Sequence, residues 1–88
     1  MKIKQEFVLR QVADTYVVLP IGQATVDFNG MVTLNESGAF LWRRMEQGTT
    51  REALADALTG EYDVSREEAL ADVDAFIAAL MPVGCIEE

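Results

Sequence analysis

The sequence predicts an α+β fold, a three-stranded antiparallel sheet followed by three helices in a winged-helix-like arrangement. Three observations predict it. Residues 7–34 carry short β-branched and aromatic runs broken by turn residues. Residues 35–81 carry three apolar patterns of helical period, each preceded by a capping residue. The two kinds of segment do not alternate, and strands followed by helices place the helices together on one face of an antiparallel sheet. At 88 residues the chain has the length of one domain, 1–88.

Phe7-Val8-Leu9-Arg10-Gln11-Val12 and Thr15-Tyr16-Val17-Val18-Leu19 are rich in residues that suit a pleated, half-buried surface. Only Ala13-Asp14 separates them, so they read as an antiparallel hairpin. Pro20 is expected to stop the second strand, because it has no N–H for a ladder. Asp27-Phe28-Asn29-Gly30 reads as a turn, with Asn-Gly supplying positive φ at low cost. Met31-Val32-Thr33-Leu34 then forms a short third strand.

Asn35 is a good N-cap, and Glu36 suits the positive end of a helix dipole. The first helix is predicted over about 36–47, stopped by Gly48. Leu34, Leu41, Trp42 and Met45 fall on one face of it. Gly38 costs about 1 kcal/mol relative to Ala inside a helix, which points to close packing of this turn against the sheet. Thr49-Thr50-Arg51-Glu52 reads as a capping box that opens a second helix. Ala53, Leu54, Ala57 and Leu58 are expected inward, with Gly60 as its end and Tyr62 beneath it. Ser65-Arg66-Glu67-Glu68 is a second capping box, and it opens a third helix to about Met81. The stripe Ala69, Leu70, Val73, Phe76, Ile77 and Leu80 is its buried face, Pro82 terminates it, and 83–86 is a short final extended piece.

Chemistry is hard to find in this sequence. It contains no histidine, the commonest general base and metal ligand. It has one cysteine, Cys85, flanked by Glu87 and Glu88, which discourage a thiolate. No Cys-x-x-Cys pair and no phosphate-binding glycine motif occurs. Asp72 and Asp74, two apart on a helix, do not share a face and so do not make an acid pair. Trp42, at helical spacing with Leu41 and Met45, reads as core. No catalytic residue, metal or cofactor is therefore expected, and the chain is not expected to be an enzyme.

The net charge of −8 is unevenly spread. Residues 1–51 hold six Lys/Arg against five Asp/Glu, whereas residues 52–88 hold Arg66 alone against ten acids. Such a C-terminal half repels phosphate backbones and anionic lipid. Its carboxylates serve either as solvated helix faces or as steering groups for a basic partner. A winged helix suggests a DNA-binding regulator, but the third helix carries Glu67, Glu68, Asp72 and Asp74 beside Arg66, and a major-groove reader needs donors at base edges. Neither nucleic acid nor membrane is an expected partner. The opening residues lack a signal peptide's apolar stretch, and the lone thiol agrees with a reducing compartment, so the expected location is cytoplasmic.

The stretch Asp27-Phe28-Asn29-Gly30-Met31-Val32-Thr33-Leu34-Asn35-Glu36-Ser37-Gly38-Ala39-Phe40-Leu41-Trp42 resembles the PqqD-like proteins, also called RiPP recognition elements. Their pattern is a Gly and a short strand, then Leu-Asn-x-[Ser/Thr]-[Gly/Ala]-Ala, then an aliphatic residue and Trp. The likeness continues through Gly48-Thr49-Thr50, Leu54, Tyr62-Asp63-Val64, Glu68, Asp72-Val73, Phe76, Leu80 and Gly84, and so covers roughly residues 6–86.

The resemblance implies a three-stranded sheet followed by three helices. It also implies a non-catalytic domain that holds the leader of a ribosomally made precursor peptide for a tailoring enzyme. In the namesake pathway that enzyme is a radical S-adenosylmethionine protein and the product is pyrroloquinoline quinone. The leader is implied to add as a strand on the third β-strand, beside the third helix. The residues agree, since an edge strand at Met31, Val32, Thr33 and Leu34 offers unpaired N–H and C=O groups to a guest. Leu70, Val73 and Ile77 are candidates for the pocket floor, although plain core residues have the same pattern. Proline at Val32 is expected to remove one N–H from the guest ladder. The same edge also allows a homodimer by strand exchange.

Overall fold

In the computed structural model, which describes residues 1–22 and 32–87, the chain runs β1 (Lys2–Ile3), β2 (Phe7–Val12), β3 (Thr15–Pro20), β4 (Val32–Leu34), α1 (Glu36–Met45), α2 (Arg51–Glu61), α3 (Arg66–Leu80), a 3-10 turn (Met81–Val83) and β5 (Ile86–Glu87). The predicted Asp27–Gly30 turn and Met31 lie outside the described residues. The main sheet has the order β2-β3-β4, all antiparallel, and the three helices follow it, as the strand-then-helix pattern predicts. The β1–β5 pair joins the two ends of the chain. Sequence reasoning missed this pair, because two-residue strands carry no period to detect.

The hairpin register pairs Val12 with Thr15 and Phe7 with Pro20. Its two-residue loop requires positive φ, and Ala13 provides it at +55°. Pro20 is the last residue of β3 rather than a stop before it. The Ile21 N–H bonds the Glu6 carbonyl at 2.7 Å, so Glu6 and Ile21 are a hydrogen-bonded pair. Hydrogen-bonded and non-bonded pairs alternate along an antiparallel ladder. Pro20 therefore falls opposite Phe7 at a position that needs no N–H, and the Phe7 N–H goes to Lys4 instead.

Cross-strand partners share a face of a sheet. Phe7, Leu9, Val18, Val32 and Leu34 form the face under the helices, and all five belong to or pack against the core. Leu41, Trp42 and Met45 of α1, Leu54 and Leu58 of α2, and Ala69, Val73, Phe76 and Leu80 of α3 complete it. Cys85 closes the core at the chain's end and is fully buried. Burial pushes its thiol up to about 11, so it stays protonated and inert at neutral pH.

Caps set the helix boundaries, with two departures from the sequence reading. Asn35 caps α1, its Oδ1 accepting from the Gly38 N–H at 2.8 Å. Ser65 and Glu68 cap α3 reciprocally, as predicted. At α2, however, the cap is Thr50, which accepts from the Ala53 N–H, one residue later than the predicted Thr49–Glu52 box. Thr49 is engaged elsewhere, because its N–H and carbonyl bond the carbonyl and amino group of Met1. The inward face of α2 also differs from the expected one, with Ala53 exposed and Ala55 buried beside Leu54 and Leu58. Gly60 does not end α2, which continues to Glu61.

Arg51 at the start of α2 reaches α3, its Nε and Nη2 donating to the two Asp74 carboxylate oxygens at 2.6 and 2.9 Å. That bond holds the Asp74 carboxyl below its ordinary value. A group with a depressed folded-state pKa contributes stability above the unfolded value, about 3.9, and loses it as pH falls through the lower folded one. Arg51→Gln is expected to flatten the loss of stability below about pH 4, measured as the urea midpoint between pH 5 and 2. A midpoint profile parallel to that of the parent contradicts the assignment.

Candidate functional site

Among the described residues β4 has a strand neighbour on one side only, and the register states which of its groups stay open. The Glu6/Ile21 bond makes Val8/Leu19, Arg10/Val17 and Val12/Thr15 the bonded pairs of the hairpin. Tyr16 and Val18 must then direct their main-chain groups away from β2, toward β4. Their partners Leu34 and Val32 are bonded to β3, while Thr33, opposite Val17, is not. The Thr33 N–H and C=O point to the free edge, and no described residue meets them. Asn35 extends the strand at φ −82°, ψ −177°. By the same alternation its N–H lies on that edge, while its carbonyl accepts from Ala39 within α1.

The free edge borders a groove. Thr33 and Leu34 form one wall of a cavity of about 400 Å³, Gly38 and Leu41 its floor, and Asp72, Ala75, Phe76 and Ala79 of α3 the opposite wall. Gly38 explains how the floor fits. A Cβ there would stand 3.2 Å from both Leu34 Cβ and Asn35 Oδ1, so the close approach inferred from the sequence is to the end of β4 itself. Ala75 and Ala79, one helical turn apart, are exposed and small, which keeps the groove open.

A second cavity of about 340 Å³ continues past the end of β4. Asn35, Ser37 and Asp72 border both. Leu58, Tyr62 and Val64 form its apolar floor, and Glu36 and Asp72 stand at its rim. Tyr62 is fixed edge-on against Phe40, with ring centroids 5.7 Å apart. Partial burial, then the Glu36 charge, raises its phenol above the ordinary value.

The predicted site residues divide under this geometry. Val32, Thr33 and Leu34 are on the free strand, and Met31 lies outside the described residues. Val73 is wholly inside the core, and Leu70 and Ile77 are half-buried against it, so none of the three lines the groove. The groove wall is the neighbouring stripe of α3. Its alanines and aspartate give no hydrophobic signal, so an apolar pattern selects the core-facing stripe beside it rather than the residues that line the cavity. The expected effect of proline at Val32 is also corrected, because the Val32 N–H is turned toward β3 and Thr33 is the residue open to a guest.

Among the described residues no group of three or more Cys, Asp and Glu is placed to hold a metal. Two solved structures share this fold along the whole chain. One is described as TbiB1 in complex with the TbiA(beta) leader peptide, 28% identical, with a TM-score of 0.77 over 99% of this chain and 95% of that one. The other is described as lasso peptide synthetase B1 complexed with the leader peptide, 25% identical, with a TM-score of 0.75 over 99% and 96%. Among curated proteins no significant match is found. The family description Coenzyme PQQ synthesis protein D (PqqD) matches residues 15–86, which span β3 to β5 and include both walls of the groove. On that match the chain belongs to the PqqD family.

Proposed function

We propose that this protein is a non-catalytic peptide chaperone. It takes the leader of a ribosomally made precursor peptide as an added strand on β4 and presents it to a separate tailoring enzyme. The observation that carries the reading is the open Thr33 edge bordering a cavity walled by α3. The two similar structures are leader-peptide complexes, which supports a guest of this class. The PqqD family supports a radical S-adenosylmethionine protein as the tailoring partner, in pyrroloquinoline quinone or other peptide-derived biosynthesis.

Magnitudes divide the work between backbone and groove. The two main-chain bonds at Thr33 contribute about 0.5–1.5 kcal/mol each, so about 1–3 kcal/mol together. A micromolar guest needs about 8 kcal/mol. Strand addition therefore sets register and direction, and side chains entering the groove supply most of the affinity. An added strand places the residue opposite Thr33 outward and its two neighbours inward, opposite Val32 and Leu34. Val73, in the core, and Leu70 and Ile77, packed against it, lie on the stripe of α3 beside those pockets and back them from the core side. A second copy of the chain is the competing occupant of the same edge, as a homodimer that peptide displaces.

Selection from a displayed library of random dodecapeptides tests the reading. The parent domain is expected to enrich binders. Ala79→Leu, which puts a larger side chain into the groove from an exposed position, is expected to weaken them about ten- to hundred-fold, the worth of one buried apolar side chain. No enrichment on the parent, or binders indifferent to Ala79→Leu, overturns it.

The regulator reading finds no support. The one cation on α3, Arg66, is paired with Asp56, and the helix exposes Glu67, Glu68, Asp72 and Asp74. No helix among the described residues is long and apolar enough to cross a membrane. We place the work of the domain in the cytoplasm, where the protonated, buried Cys85 fits a reducing medium.

A further inference from the structure

Asp72 and Asp74 are two residues apart on α3 and are used differently. Asp74 faces α2 and is held by both donor atoms of Arg51. Asp72 is exposed, has no ion pair among the described residues, and is the one α3 residue that borders both cavities. The lining of the second cavity offers a basic side chain both an apolar surface and carboxylates. Its floor of Leu58, Tyr62 and Val64 suits an aliphatic stem, and its rim holds the Glu36 and Asp72 carboxylates. No Lys or Arg lines either cavity. The nearest cations on α1 are engaged over aromatic rings, Arg43 on Tyr16 and Arg44 on Phe40. Long basic side chains bury their stems on apolar surface and keep the charged head at a polar rim.

We propose that Asp72 is a specificity-determining residue that selects guests with a Lys or Arg two residues along from an apolar anchor, the anchor filling the cavity beside Leu34 and Phe76 and the basic side chain filling the one beside Tyr62. The inference rests on the strand-addition reading above. The spacing follows from the pleat. Inward side chains of an added strand recur every second residue, about 6–7 Å apart. The one opposite Leu34 enters the first cavity, and the next, level with Glu36, enters the second.

The test repeats the random-dodecapeptide selection on the parent domain, on Asp72→Asn and on Asp72→Lys, and measures affinities of the recovered peptides. Asp72 is exposed, so both variants are expected to fold. Parent binders are expected to carry Lys or Arg at the second position from an apolar residue. Asp72→Asn is expected to weaken them about five-fold, the order of one exposed ion pair, and less so at high salt. Asp72→Lys is expected to weaken them at least ten-fold and to select Asp or Glu at that same position, a charge swap that a purely structural role does not produce. Parent binders that depend on the Thr33 edge but show no basic preference overturn this inference and leave strand addition standing. A preference unchanged in Asp72→Lys also overturns it. No binders on the parent overturn both.

Discussion

Thr33→Pro is expected to weaken capture of selected peptides about ten- to hundred-fold while leaving the domain folded. The Thr33 N–H points to the free edge of β4, so proline there removes a donor that the folded protein does not use internally. Proline is tolerated in edge strands when its missing N–H faces solvent. In the complex the guest carbonyl opposite it loses a partner and is desolvated. That costs about 1.5–3 kcal/mol, counting the lost bond and the unsatisfied acceptor.

Val32→Pro is expected to behave in the opposite way. The Val32 N–H belongs to the β3–β4 ladder, opposite Val18, so its loss destabilises the fold before any guest is present. Thr33→Ala keeps the N–H and removes only an exposed side chain, and is expected to bind nearly as the parent does. Peptide titration combined with urea unfolding of the three variants separates the two effects. Equal losses of affinity in Thr33→Pro and Thr33→Ala contradict a main-chain role.

The largest expected loss of stability is at Trp42. It is fully buried between the sheet and the helices. Truncation of a buried aromatic to alanine costs about 3–5 kcal/mol. A domain of this length has a total stability of about 4–13 kcal/mol, so Trp42→Ala is expected to leave much of the population unfolded at 37 °C. Trp42→Phe is the informative comparison. The Trp42 Nε1–H is buried and no acceptor among the described residues reaches it. A buried donor without a partner costs about 1–3 kcal/mol, which phenylalanine removes while losing part of the packing. The two terms oppose each other, and Trp42→Phe is expected within about 1–2 kcal/mol of the parent. A phenylalanine variant as unstable as the alanine variant means that the indole N–H is satisfied after all.

How much of this was readable from residue order follows from what each signal measures. Hairpin, helix order and the buried faces of α1 and α3 were legible, because β-branched runs, period-3.6 stripes and caps each repeat over several residues. The β1–β5 pair was not, since two residues make no pattern. The cap of α2 was misplaced by one residue because Thr49 and Thr50 look equivalent, and only the long-range bond from Met1 to Thr49 distinguishes them. The proposed receiving strand was legible as an edge, but the residue whose main-chain groups face that edge was not. Its identity depends on hydrogen-bond parity carried across two ladders from Glu6 and Ile21. The α3 wall of the groove was hidden for a related reason. Hydrophobicity marks the face of a helix that leaves water when the chain folds, whereas Ala75, Ala79 and Asp72 are exposed in the folded domain.

Amide hydrogen exchange at Val32, Thr33 and Leu34, with and without a saturating selected peptide, tests strand addition most directly. Val32 and Leu34 are expected to be protected in both states. Thr33 is expected to exchange freely in the peptide-free domain and to become protected in the complex. A Thr33 amide already protected in the free monomer, or still unprotected when the domain is saturated with peptide, contradicts the account.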